Sequence, residues 1–228
     1  MGSIADNLQA VKARIAEAAR AAGRASGAVA LLAVSKTHPP ALVEEACRAG
    51  QRAFGENYVQ EAVEKMDALA ALPLEWHLVG PLQSNKTRLV AERFHWVHSI
   101  EREKIARRLS EQRPAGMAPL NVLLQVNASG EASKSGIAPA EVPALAAAVA
   151  AMANLRLRGL MAIPEPGAPA SRLREIGELY ARLQGEFGLD TLSLGMSDDM
   201  EAAIAAGSTM VRVGTAIFGE RRKVKDAA

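Results

Sequence analysis

Lys36 ends the apolar run Val29-Ala30-Leu31-Leu32-Ala33-Val34-Ser35 and stands directly before Thr37-His38-Pro39-Pro40. The run reads as a buried strand, and the two prolines stop it because neither has an N–H to offer a ladder. An amine at the C-terminal mouth of a buried strand has protein on most sides, which disfavours the ammonium form and lowers its pKa. A neutral amine there can attack an aldehyde and form a Schiff base. The plainer reading is a lysine that leaves the strand and snorkels to water.

A second group of residues suits an anion. Ser197 stands at the start of a helical pattern over residues 198–206, where its hydroxyl and the unpaired backbone amides can meet negative charge. Gly214 lets the backbone come close to a ligand, and Thr215 adds an amide and a hydroxyl. The competing reading makes Ser197 only an N-cap. Asp198 and Asp199 favour that reading, because they already offer negative charge to the helix dipole. His77 alternates within Glu75-Trp76-His77-Leu78-Val79 and points into the interior, either as a satisfied core histidine or as a ligand contact. His95 and His98 flank a Trp-Val strand and read as structural. No His, Cys or carboxylate cluster has metal-ligand spacing. A serine nucleophile at Ser35 or Ser84 has no positive support.

These residues need a frame. Ile4, Leu8, Val11 and Ile15 recur at helical spacing behind Ser3, which reads as an N-cap. Strands then read at residues 29–35, 53–54, 75–79, 96–98, 120–126, 157–163, 191–194 and 210–213. Helical patterns fill the intervals at 40–49, 58–70, 84–93, 101–112, 140–153, 170–187 and 198–206. Repeated alternation implies a parallel sheet. About eight units behind one extra helix fit a (β/α)8 TIM barrel with an N-terminal helix, near the lower end of its size range. A doubly wound open sheet would normally show a glycine-rich loop after its first strand; Ser35-Lys36-Thr37-His38-Pro39-Pro40 has no glycine. No linker divides the chain, so residues 1–228 read as one barrel domain. A barrel builds its site from loops at the strands' C-terminal ends, often with phosphate held after strands seven and eight. Lys36, Gly55 to Tyr58, Gly80 to Lys86, Met161, Gly195 to Met200 and Gly214-Thr215 all occupy such ends. Residues 127–136 form a polar loop that reads as a surface segment with some mobility, 164–169 form another loop, and the basic tail 221–225 reads as solvated.

Composition narrows the classes. With 49% hydrophobic residues, 228 residues can bury a sizeable core. A net charge of +2 creates no global field for nucleic acid or an anionic membrane. Sparse aromatics, at 4%, disfavour a base-stacking surface. Cys47 is the only cysteine, which suits a reducing compartment, and a cytoplasmic location is expected. The amphipathic, charged N-terminus does not read as a secretory signal. No uncharged apolar stretch reaches the roughly 20 residues of a membrane span.

Seven segments taken in order carry a resemblance. They are Ala33 to Lys36, Phe54 to Glu61, Trp76 to Lys86, Asn127 to Gly136, Arg158 to Met161, Leu194 to Met200 and Arg212 to Gly219. Together they resemble the pyridoxal phosphate homeostasis proteins, single-domain relatives of the alanine racemase barrel. The resemblance implies pyridoxal 5'-phosphate as cofactor, carried by Lys36 as an aldimine. It implies that Ser197, Gly214 and Thr215 hold the phosphate, that Arg212 faces the pyridine nitrogen, and that Asn57, His77 and Met161 line the pocket. A carboxylate facing that nitrogen would keep it protonated and make the ring a strong electron sink. A guanidinium donates a hydrogen bond but cannot accept the ring's proton. With a chain ending at Ala228 and no second β-domain to complete a racemase site, the implied role is storage, buffering or delivery of the cofactor without efficient catalysis. No catalytic residue is therefore assigned. The implied partners are apoenzymes that need the cofactor, and a monomer is expected. The alternative is an amino-acid racemase or lyase using the same cofactor. A cofactor-free Schiff-base aldolase would also need Lys36 but gives Arg212 no role.

Overall fold

The computed structural model describes residues 2–129 and 135–220. The core of the polar loop, 130–134, and the basic tail from 221 onward lie outside the described residues. The strands are β1 (Ala30–Val34), β2 (Ala53–Glu56), β3 (Glu75–Leu78), β4 (Trp96–Ile100), β5 (Leu120–Val126), β6 (Leu155–Ala162), β7 (Thr191–Ser193) and β8 (Met210–Val213). They form a closed barrel in chain order, every neighbouring pair parallel. β8 closes it onto β1, with Ala30 opposite Met210 and Ala33 opposite Val213. The barrel expected from the alternation is the observed fold.

The helices are α1 (Ile4–Ala21), α2 (Pro40–Arg48), α3 (Val59–Ala68), α4 (Thr87–Arg93), α5 (Glu103–Gln112), α6 (Val142–Ala150), α7 (Ala170–Phe187), α8 (Met200–Ala205) and α9 (Thr215–Phe218). α1 precedes the first strand. Ser3 caps it, and Ser3 and Asp6 satisfy each other's backbone amides in a capping box. Its buried residues Ile4, Leu8, Val11 and Ile15 pack toward α2, α8 and α9, beside the β8–β1 closure. Asn7 Nδ2 donates to Ile217 O at 2.9 Å, tying α1 to α9.

Several helices are shorter than their patterns. The turn over Ser84–Lys86 is 3-10, so α4 starts only at Thr87. Pro139 opens another 3-10 turn and Pro143 lies in the first turn of α6. Both prolines lack the N–H that would carry an earlier helical ladder. α9 has four residues, too few for any periodicity to announce it. The main core lies between the strands' outer faces and the helices, with Phe54, Leu78, Leu120 and Leu160 at or near zero exposure. Inside the barrel sit smaller apolar groups, Leu32-Val79-Met210 and Trp96-Leu123-Met161. A polar column shares that interior. The β5–β6 register shifts between Val122 and Leu123, near Gly159. A Cβ on Gly159 would stand 1.7 Å from Thr191 O, so the close β6–β7 approach requires glycine. Among the described residues no helix is long and apolar enough to cross a membrane.

Candidate cofactor site

A cleft of about 380 Å³ opens at the C-terminal ends of the strands. β1 and the turn after it supply Val34, Lys36 and His38, and the ends of β2, β3 and β6 supply Asn57, Val79 and Ile163. The loop after β7 brings Met196, Ser197 and Asp198; β8 and the start of α9 bring Arg212, Gly214 and Thr215. Six of the eight expected site residues thus meet in one place. A larger depression of about 540 Å³ lies between α1 and α8, but its wall is mostly alanine beside the Arg14–Glu201 ion pair.

Lys36 is half-buried on a turn fixed from beneath. Its neighbour Thr37 has φ +65°, a left-handed conformation unusual for a β-branched residue. Glu61 Oε1 accepts from Thr37 N at 2.5 Å and from Lys65 Nζ at 2.6 Å. Lys65 Nζ also donates to Ser35 O and to Glu56 Oε1, each at 2.7 Å, and Ser35 Oγ donates to Glu56 Oε1 at 2.6 Å. Both residues flanking Lys36 are therefore tied to one buried cluster. Burial pushes the Glu56 carboxyl above its usual range, against the pull of Lys65 and Ser35. Lys65 was missed in the sequence because Glu61 and Lys65 look like an ordinary surface i,i+4 pair. Its place among the apolar residues Val59, Ala62, Val63 and Met66 was the available signal. His38 packs against the Phe218 ring at 5.3 Å, setting the outer edge of the turn.

The anion end differs from the expected helix start. α8 begins at Met200 with Asp199 in the N-cap position, so Ser197 is not its cap. Asp199 Oδ1 instead accepts from Met196 N at 2.6 Å and holds the loop. Gly195, at φ +95°, turns the chain out of β7. The amides of Ser197, Asp198, Thr215 and Ala216 make no hydrogen bond to a described backbone group. Those donors, with the Ser197 and Thr215 hydroxyls, suit a phosphate.

Arg212 lines the cleft from β8 and is 5% exposed. Nη1 donates to Ser193 O at 2.7 Å and Ser193 Oγ at 2.8 Å, and Nη2 donates to Ala162 O at 2.9 Å. Burial lowers its pKa to about 10, which leaves it charged at neutral pH.

His77 and Met161 are not among the residues that border the cleft. Both have zero exposure and lie in the barrel interior, outside the cleft wall. His77 stacks on Trp96 and engages both ring nitrogens, with Glu75 at 2.8 Å and His98 at 2.9 Å. Met161 packs with Trp96 and Leu123. The residue just past the end of β6, Ile163, borders the cleft instead, two positions beyond Met161. Among the described residues no group of His, Cys, Asp or Glu has the arrangement of a metal site. An amine, a set of amide and hydroxyl donors, and a buried guanidinium facing one cleft fit a small phosphorylated aldehyde with an aromatic ring nitrogen.

Residues 7–222 match the family model of the alanine racemase N-terminal domain. The chain is 63% identical to the pyridoxal phosphate homeostasis protein of Pseudomonas aeruginosa, over 97% of each chain. It is 58% identical to the protein of the same name from Escherichia coli, over 97% of this chain and 98% of that one. Among solved structures, PipY of Synechococcus elongatus with pyridoxal phosphate bound superposes with a TM-score of 0.82 at 36% identity, covering 95% of this chain and all of that one. This chain belongs to the pyridoxal phosphate homeostasis protein family, built on the alanine racemase N-terminal barrel.

Proposed function

We propose that this protein binds pyridoxal 5'-phosphate and stores, buffers or delivers it without efficient turnover of amino acids. One observation carries the reading: Lys36, the donors of Ser197, Gly214 and Thr215, and the Arg212 guanidinium line a single cleft. The names of the relatives and the cofactor bound in PipY support it. When bound, this cofactor supplies an aldehyde that bonds reversibly to an amine and a ring that can draw electrons from a carbanion.

The residues present favour the first property over the second. Lys36 offers the amine on a fixed turn. Ser197, Gly214 and Thr215 anchor the phosphate and so orient the aldehyde toward Lys36. Asn57 borders the cleft, and its backbone is packed so closely that a Cβ on Gly80 would lie 2.3 Å from Asn57 O. Arg212 meets the ring nitrogen as a charged donor, so the nitrogen keeps its lone pair and the ring withdraws electrons weakly. Ile163 and Met196, at 47% and 39% exposure, form an open apolar rim through which the cofactor can leave. Transfer to apoenzymes follows from a reversible bond in an open cleft, and we assign the transfer to a monomer.

The test follows loaded protein with a panel of L- and D-amino acids in deuterated water. The expected result is no α-deuteration, racemisation or keto-acid release above about 1 s⁻¹, the low end of ordinary enzymes. Turnover of any one amino acid beyond that rate would make the protein an enzyme.

A further inference from the structure

His77 and His98 are the middle of a longer polar chain. It starts at Glu75, whose side chain is 48% exposed at the N-terminal end of β3, and passes up the barrel interior. Glu75 Oε1 lies 2.8 Å from His77 Nε2, and His77 Nδ1 lies 2.9 Å from His98 Nε2. His98 Nδ1 lies 3.2 Å from Ser193 Oγ, which accepts from Arg212 Nη1 at 2.8 Å. His77, His98 and Ser193 all have zero exposure.

The two ends fix the direction of every bond between them. A guanidinium can only donate, and an ionised carboxylate can only accept. The hydrogen bond from His77 holds Glu75 below the usual carboxylate range, so it is ionised at neutral pH. Burial holds both imidazoles below the ordinary histidine range, His98 well below it, so both are neutral. A neutral imidazole donates from one nitrogen and accepts at the other. His77 must then donate from Nε2 to Glu75 and accept at Nδ1 from His98 Nε2–H. His98 Nδ1 must accept from the Ser193 hydroxyl, which leaves Ser193 Oγ to accept from Arg212. Each interior group donates once along this line and accepts once.

We propose that Glu75, His77, His98 and Ser193 form a one-way hydrogen-bond chain through the barrel that holds Arg212 as it is presented to the cofactor. Glu75, at the opposite mouth, is then a positioning residue for the site. The last step rests on the reading of the cleft as a pyridoxal phosphate site. The chain gives the buried guanidinium a line of aligned dipoles ending in a carboxylate, although no carboxylate touches it. It also gives His77 a role outside the cleft wall.

Nitrogen-15 NMR of the histidine rings in cofactor-free protein tests the chain directly. The expected result is a proton on Nε2 and none on Nδ1 in both His77 and His98 at neutral pH. Glu75→Gln removes the acceptor-only end, since a carboxamide can turn and donate. A second tautomer should then appear at His98, two links from the substitution, with the melting temperature held. With ring-nitrogen-labelled pyridoxal phosphate bound, the same variant should shift the ring-nitrogen resonance and weaken affinity about two- to tenfold, the worth of one neutral hydrogen bond. A proton on His98 Nδ1 in the unaltered protein, or a Glu75→Gln variant with His98 and the ring nitrogen unmoved, would overturn the proposal. Failure of the cofactor reading would show separately, as no cofactor fixed to Lys36 by borohydride.

Discussion

Lys36 owes its presentation to side chains that a reading along the chain does not join to it. Its own candidacy was legible, because an apolar run ending in lysine before two prolines places an amine at a strand mouth. The cluster beneath it was not, because Glu56, Glu61 and Lys65 meet Ser35 and Thr37 only after β1, β2 and α3 are packed together. Lys65→Met would leave the Glu56 carboxylate buried without its cation. We expect a loss of about 3–5 kcal/mol in urea denaturation, the usual cost of removing one partner of a buried pair. A loss under about 1 kcal/mol would mean that the cluster is not holding the turn. The sequence places Ser197 at a helix start, whereas α8 starts three residues later, so its proposed part in phosphate binding rests on the loop after β7. Lost hydrogen bonds to a charged group cost about 1.5–3 kcal/mol each. Ser197→Ala should therefore weaken pyridoxal phosphate roughly ten- to a hundredfold and leave unphosphorylated pyridoxal nearly unchanged. Equal weakening of both ligands would remove Ser197 from the phosphate site. His77 stood between two readings because alternation shows that a side chain points inward but not how high in the barrel it lies.

Strands and helices were easier to see than their ends. The bounds of β5, β8 and α7 match their patterns, because each is bracketed by clear breaks. α6 and α8 were overextended, because alanine-rich sequence continues a helical pattern past the point where prolines or the Asp199 turn stop it. α9 was invisible at four residues, although it carries Thr215. The order of strands around the barrel followed from the alternation, since each crossover returns the chain to a neighbouring parallel strand. The register shift at β5–β6 and the close approach of Gly159 to Thr191 O on β7 were not legible, because both arise only once β6 is packed between its neighbours. Gly159→Ala would place a methyl group inside that contact, so overpacking should cost at least about 1–3 kcal/mol. Thermal melting checks it, and an unchanged midpoint would show that the β6–β7 approach is looser than the structure has it.

The buried histidines tie the stability of the entire barrel to pH. His77 and His98 have folded pKa values below the ordinary histidine value, chiefly through burial. The unfolded chain takes up protons on these rings as pH falls through about 6.5, while the folded protein does so only at lower pH. Stability is therefore full above about pH 6.5 and declines below it, by up to about 1.4 kcal/mol per pH unit for each ring. Urea denaturation at several pH values should show that decline, and His98→Asn should flatten it. A stability that rises as the solution is acidified from pH 6.5 would contradict the burial of neutral rings. The proposed function has the barrel present Lys36 to pyridoxal phosphate. The most direct measurement loads the protein with pyridoxal phosphate, reduces it with borohydride and maps the added mass by peptide mass spectrometry. The account predicts a visible band that reduction removes, with the cofactor mass on Lys36 and none in Lys36→Ala. A band and adduct that survive Lys36→Ala on another lysine would contradict it.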